Sequence, residues 1–161
     1  MNKHEIYDLL KQRKIWHEIT EHKAVYNMAE FSGIDSPYPD ADAKNLFVRD
    51  KKKNFFLITV KGDRRVDLKE FKEKNGLKSL SFASEESLEY ILGVISGAVS
   101  PFGLLNDSEC KVQFYIDKEL LQRDGVIGIH PNDNTATVWI KTEDLISLIE
   151  EHGNQVHIVS L

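Results

Sequence analysis

Residues Gly93 to Asp107, Gly-Val-Ile-Ser-Gly-Ala-Val-Ser-Pro-Phe-Gly-Leu-Leu-Asn-Asp, constrain the fold more than any other stretch of the chain. Three glycines make it a poor helix, and its apolar content makes it a poor solvated linker. It therefore reads as a shaped loop in a semi-enclosed apolar setting. Glycine permits positive φ and close approach of another group, while Pro101 fixes its own φ and biases Ser100 toward extended backbone. Such a loop suits backbone N–H groups aimed at a carbonyl or a developing oxyanion. The same composition also serves a buried turn in which Gly97 and Gly103 merely allow packing.

Around this loop the chain alternates between strand and helix patterns. Ile6, Leu9 and Leu10 have helical spacing within residues 2–13, and Ile15 to Thr20 alternates as a strand does. Asn27 can cap a short helix through Phe31 that Gly33 ends, and the Pro- and Asp-rich Ser36–Ala43 reads as an exposed loop. Strands over Asn45–Arg49 and Asn54–Val60 flank Asp50-Lys51-Lys52-Lys53, a hairpin signature. Arg65–Leu68 reads either as a short strand or as a helix entry, and a helix follows to about Asn75, with Gly76 as its stop. Ser79–Phe82 is a short strand. Ser84 caps a helix through Leu92, and Glu85 and Glu86 favour its positive end. Val112–Ile116, Val126–Ile129 and Thr135–Ile140 are strands, Thr142 opens a helix through Glu151, and Gln155–Val159 closes the sheet. The expected class is α/β: a mixed, largely antiparallel central sheet flanked by helices, in a single domain over 1–161.

Composition narrows the function classes. Hydrophobic content of 41% and charge of 29% are ordinary for a soluble globular protein. Apolar runs are short and broken by charges, so neither a membrane span nor a signal-peptide core is expected. Cys110 is the only cysteine, which excludes an intrachain disulfide and fits a reducing cytoplasm. The net charge of −5 hides an asymmetry: residues 44–78 carry +7 and the remainder −12. A basic segment on an acidic body suits a phosphate backbone, and it equally describes a hairpin and helix whose lysines face water.

Three segments offer chemistry: Lys44-Asn45-Leu46-Phe47, Gly97-Ala98-Val99-Ser100-Pro101, and Gly128-Ile129-His130-Pro131-Asn132-Asp133-Asn134-Thr135. Lys44 stands where an acidic loop becomes an apolar strand, placed to meet a phosphate or a polarised carbonyl, or to serve as an ordinary strand-edge lysine. His130 ends a strand before a polar turn. An imidazole there can orient water, hold an amine, shape a pocket, or bond to its own turn. Ser100 lacks the Gly-x-Ser-x-Gly elbow of a serine nucleophile. His4, His17, His22, His130, His152 and His157 are scattered and Cys110 has no cysteine partner, so no metal is expected. No phosphate loop or dinucleotide fingerprint calls for a cofactor. An enzyme built this way works by positioning and backbone electrostatics, without a covalent side-chain intermediate.

Together, in this order, the three segments resemble the bacterial prolyl-tRNA-synthetase editing domains and their freestanding YbaK-like relatives, over essentially the whole chain. Lys44-Asn45-Leu46-Phe47 is similar to the family's lysine motif, Gly97 to Pro101 to its Gly-x-x-x-Pro loop, and Gly128 to Pro131 to its Gly-x-His-Pro motif. Ser81-Phe82-Ala83-Ser84 and Ser100-Pro101-Phe102-Gly103 resemble the branch that clears alanine from proline tRNA. The resemblance implies a trans-editing enzyme that hydrolyses the ester between a wrong amino acid and the tRNA 3′ adenosine, with the terminal ribose hydroxyl helping to activate water. Lys44 would anchor the terminal nucleotide, Gly97 and its neighbours Ala98, Val99, Ser100 and Pro101 would hold the scissile carbonyl, and His130 would limit the pocket. Asn45, Asn132 and Thr135 would be supporting polar groups. Arg49, Lys51, Lys52, Lys53, Arg64 and Arg65 would meet RNA phosphates. The implied partners are aminoacyl-tRNA(Pro) and prolyl-tRNA synthetase. Two departures bear on this reading. Ile129-His130-Pro131 stands where the cysteine-clearing branch has a Gly-x-Arg-Gly-like stretch, which favours alanine, and Asn27 stands where relatives often have Thr. Another small misacylated amino acid, cysteine or serine, and a noncatalytic tRNA- or protein-binding module remain as alternatives.

Overall fold

The computed structural model describes residues 1–24, 37, 38 and 41–161. The short helix expected from Asn27 through Phe31, its Gly33 stop, and Pro39 lie outside these residues. Helix α1 (Lys3–Gln12) starts at a reciprocal cap: Asn2 Oδ1 accepts from the Glu5 amide at 2.9 Å, and Glu5 Oε1 accepts from the Asn2 amide at 3.0 Å. Its apolar stripe buries Ile6 and Leu10 completely.

The strands divide over two sheets. In the smaller, β1 (His17–Glu21) and β6 (Val126–Ile129) each pair antiparallel with the central β7 (Ala136–Lys141). The larger holds β2 (Ala43–Arg49), β3 (Phe55–Lys61), β4 (Ser81–Phe82), β5 (Val112–Asp117) and β8 (Val156–Val159), in the order β4-β2-β3-β5-β8. The β2 pairings with β3 and β4 are antiparallel, whereas β3–β5 and β5–β8 are parallel. The expected mixed α/β architecture is therefore found, with its antiparallel majority, and the sheet is interrupted in the middle.

The hairpin between β2 and β3 is tied by Asp50, whose carboxylate accepts from the amides of Lys52 and Asn54 and from Asn54 Nδ2, each at 2.9 Å. Burial alone would push the Asp50 carboxyl up; these bonds, with Lys78 nearby, outweigh it and hold it below its ordinary range. Strict alternation along β2 and β3 then sorts side chains between two cores. Phe47, Phe55 and Leu57 enter the larger core with Phe114 and Ile116 of β5, Ile127 and Ile129 of β6, and Val138 and Ile140 of β7. Helix α4 (Thr142–His152) closes that core with Leu145, Ile146, Leu148 and Ile149, and ends where Gly153 takes φ 119°. Val48, Phe56, Ile58, Val60 and Tyr115 face the other way, under Phe71 of α2 (Leu68–Lys74).

Ser84 caps as its sequence indicates, accepting from the Ser87 amide at 3.1 Å, yet the α-helical turn α3 spans only Glu85–Ser87. Leu88–Leu92 widens into a π-turn that Gly93 stops at φ 66°. The Leu92 carbonyl is taken by Asn106 Nδ2 at 2.7 Å, tying this turn to the far end of the Gly-rich loop. That loop folds as two 3₁₀ turns, Ser96–Ala98 and Pro101–Asn106, with Ala98, Ser100 and Pro101 to Leu104 buried. Within it only Gly93 uses positive φ.

Candidate active site

Among the described residues one backbone bridge joins the two sheets, between Asp42, just before β2, and Gly128 of β6, in parallel sense. Bridged residues share a face, and alternate residues of a strand project to opposite faces. Asp42 and Lys44 thus lie on the same side as Val126, Gly128 and His130. Packing on the opposite side agrees, because Ala43, Ile127 and Ile129 all meet the larger core. Beyond the bridge the strands part, β2 staying with β3 and β6 with β7. Lys44 and His130 are the next same-face positions along the diverging strands and flank the mouth of this fork. β4 covers the outer edge of β2 only at Val48 and Arg49, with the Ala83 amide donating to the Phe47 carbonyl at 3.0 Å. Between bridge and β4, β2 has no strand partner on that edge among the described residues.

Gly128 makes this junction possible. A Cβ there would lie 2.2 Å from Cζ3 of Trp139, whose fully buried indole lies across β6 and donates from Nε1 to Thr20 Oγ1 at 3.0 Å.

His130 is oriented by the Ala136 carbonyl, 2.8 Å from Nδ1. A carbonyl only accepts, so Nδ1 carries the proton and Nε2 is the acceptor of the neutral ring. Burial pushes the His130 pKa below its ordinary value and His22 pushes it further, against the Ala136 bond and Asp133. The His22 ring stands edge-on to it, centroids 6.1 Å apart. His22 is itself held at Nδ1 by the Lys23 carbonyl, 2.8 Å away, and at Nε2 by Thr137 Oγ1, 2.9 Å away. No sequence pattern marked His22, because its nearness to His130 arises from strand pairing.

The turn after His130 ties the site's segments together. Asn132, at φ 60°, donates from Nδ2 to the carbonyls of Met1 and Phe102, at 3.0 and 3.4 Å. Its Oδ1 is buried and has no hydrogen-bond partner among the described residues. Thr135 donates its amide to Asp133 Oδ1 at 2.8 Å and its hydroxyl to the same oxygen, and receives Lys3 Nζ at 3.1 Å. The Phe102 contact places the His130 turn against the Gly-rich loop.

Other expected site residues lie deeper. Asn45 faces away from Lys44, accepting at Oδ1 from the buried Thr59 hydroxyl at 2.6 Å. Ala98 and Ser100 are fully buried, and Val99 packs against the larger core. The Ala98 amide donates to the Ile95 carbonyl at 2.9 Å, Ser100 Oγ accepts from the Phe102 amide at 3.1 Å, and Pro101 has no N–H. Gly97, half-buried and without positive φ, is set apart by its missing side chain alone.

The basic residues separate into two places. Lys51, Lys52 and Lys53 are exposed at the hairpin tip beside the half-buried Arg49, while Arg65 is exposed elsewhere. Nearby Lys52 pushes the Lys78 pKa down, with a smaller push from desolvation, against the pull of Asp50. Arg64 is committed to a carboxylate cluster: Nε lies 3.3 Å from the buried Asp117, and the guanidinium also binds Glu119 and the Leu161 carbonyl. Two carboxylates offset its charge, which disfavours the expected phosphate contact at this position. A separate cleft of about 100 Å³, lined among others by Tyr38, Lys61, Leu120, Arg123 and Val126, opens at the start of β6, away from His130. It is smaller than the roughly 300 Å³ typical of ligand sites.

The aminoacyl-tRNA editing domain family matches residues 22–148. The prolyl-tRNA editing protein ProX of Acetoanaerobium sticklandii is 40% identical over 153 residues, covering 94% of this chain and 93% of that protein. The prolyl-tRNA synthetase associated domain-containing protein 1 of Danio rerio is 34% identical over 157 residues, 97% of this chain and 85% of its own length. The crystal structure of a candidate trans-editing enzyme for prolyl-tRNA synthetase superposes with a TM-score of 0.71 at 21% identity, over 99% of this chain and 96% of that one, and shares the fold. The chain belongs to the aminoacyl-tRNA editing domain family. By class it is an aminoacyl-tRNA deacylase.

Proposed function

We propose that this protein is a trans-editing hydrolase that clears alanine from mischarged tRNA(Pro), acting as a single editing domain over residues 1–161. The observation that carries the reading is the placing of Lys44 and His130 on one face at the mouth of the fork between β2 and β6. In this reading Lys44 binds the terminal nucleotide through its phosphate or ribose oxygens. The aminoacyl group enters beside the Gly97 loop, whose backbone dipoles stabilise the oxyanion that forms when water attacks the ester carbonyl. The bond to the ribose oxygen then breaks, giving free alanine and intact tRNA. The neighbouring ribose hydroxyl assists the water, so no side chain needs to be a strong base.

His130 limits the space for the amino-acid side chain. A neutral, partly desolvated imidazole fixed at Nδ1 is a stiff wall that adds no charge to an apolar pocket. Such a wall is physically useful, because an extra methylene alone discriminates by only about 1–3 kcal/mol, and a second, smaller sieve compounds the difference. The names of the relatives agree with tRNA(Pro) as substrate and with prolyl-tRNA synthetase as a functional neighbour.

A panel of tRNA(Pro) charged with alanine, proline, cysteine or serine tests the proposal. Rapid loss of alanine with proline spared is the expected result. Preferential loss of cysteine or serine would reassign the substrate, and decay at the buffer rate for all four would end the editing reading.

A further inference from the structure

Phe82 is 64% exposed on β4, a strand of two residues at the edge of the larger sheet. An aromatic ring left in water on a sheet edge is uncommon, because edges are usually blunted with charge. Here the charge surrounds it. Phe82 is paired opposite Val48 and Ser81 opposite Arg49, next to the Lys51–Lys53 hairpin tip. There Lys78 lies near enough to Lys52 to feel its charge, with the Asp50 carboxylate also close by, so the tip carries more positive than negative charge.

We propose that Phe82 is a stacking platform for an unpaired base near the 3′ end of the RNA, with Lys52 and Lys78 holding the adjoining backbone. The inference rests on the editing reading for the position of the ester, and the spacing fits. Directly paired residues share a face, so Phe82 lies on the same side as Val48 and therefore as Lys44. Lys44 is four residues before Val48, about 13 Å along a strand at roughly 3.3 Å per residue. A stacked nucleic-acid strand advances about 3.4 Å per nucleotide, so four nucleotides cover the same span. An ester held at Lys44 places a base about four nucleotides upstream over the Phe82 ring. Base–aromatic stacking tolerates any base, which makes the platform a ruler for the single-stranded tail.

The test compares an uncharged RNA hairpin bearing a five-nucleotide 3′ overhang, the terminal nucleotide and the four before it, with its blunt-ended counterpart. Phe82→Ala is expected to bind the overhang RNA about 5- to 150-fold more weakly, the loss of one stack. Blunt RNA should bind within twofold of wild type, and the salt dependence should keep its slope, since no charge is removed. Phe82→Trp should retain tight binding. Lys52→Ala should instead lower the salt slope. With charged tRNA, Phe82→Ala should raise KM and leave kcat unchanged.

Wild-type affinity of Phe82→Ala for the overhang RNA would overturn the proposal. So would equal weakening on both RNAs with a lowered Tm, or intact RNA binding with loss of binding to prolyl-tRNA synthetase. Because the RNAs are uncharged, the platform and the editing reading fail separately: a wild type that binds the overhang through Phe82 but hydrolyses no charged tRNA would keep the first and end the second.

Discussion

Lys44 is half-exposed at the start of β2 and belongs to no ion pair among the described residues. Lys44→Ala should therefore leave Tm nearly unchanged, within about 0.5 kcal/mol of wild-type stability, and reduce deacylation on the order of 10²–10³-fold if its charge serves the transition state. Equal kinetics in mutant and wild type would remove it from the site. His130 is a different case, because its environment opposes the proton. Its pKa is lower folded than unfolded, so the unfolded chain binds more protons between the two values and stability rises with pH across that window. Acidification from neutral, through the ordinary histidine pKa and then the lower folded one, should progressively remove this stability. Denaturant titrations at pH 7 and pH 5 should show a smaller loss in His130→Ala than in wild type, and an undiminished loss would contradict the assignment. The same variant should lose turnover or accept other amino acids.

At the level of elements, the junction of β6 with β2 depends on an atom that is missing. Gly128→Ala would drive a methyl into the Trp139 ring, which is fully buried and fixed by its bond to Thr20. Overpacking of this kind costs typically 1–3 kcal/mol, and here it should also shift the fork, so activity should fall more than Tm suggests. A second test concerns Asn154, whose side-chain nitrogen donates to Asp107 and to the Val112 carbonyl, both at 2.9 Å, in a buried site. Asn154→Ala leaves a buried carboxylate with one donor fewer and should cost about 1–3 kcal/mol in urea unfolding.

Most elements were legible in the chain because their signals are local: the Asn2 and Ser84 caps, the Asp50 turn, and the alternation of β2 and β3. The π-turn at Leu88–Leu92 was not, since the Asn106 side chain that holds its last carbonyl lies 14 residues away. The three site segments were visible as motifs. Their faces were not, because the side on which Lys44, Asn45 and His130 project follows from the long-range bridge between Asp42 and Gly128. Arg64 looked like a surface cation until Asp117 and Glu119 were placed beside it.

Across the whole molecule, charge is segregated, with +7 on residues 44–78 against −12 elsewhere. Affinity for tRNA should fall linearly with the logarithm of salt concentration, with a slope of about −0.7 to −0.9 per phosphate neutralised. A flat response between 50 and 200 mM salt, as test conditions, would rule out docking led by phosphates.

The pairing of β1 with β7 has a consequence for synthesis. The centre of the smaller sheet emerges from the ribosome more than a hundred residues after the strand that waits for it. At about 10 residues per second, that is a delay on the order of ten seconds during which the strand is unpaired. β1 reads His-Glu-Ile-Thr-Glu, with one apolar side chain in five. β1 is thus a strand that water tolerates well while it waits for its partner, so the strand itself needs little chaperone protection.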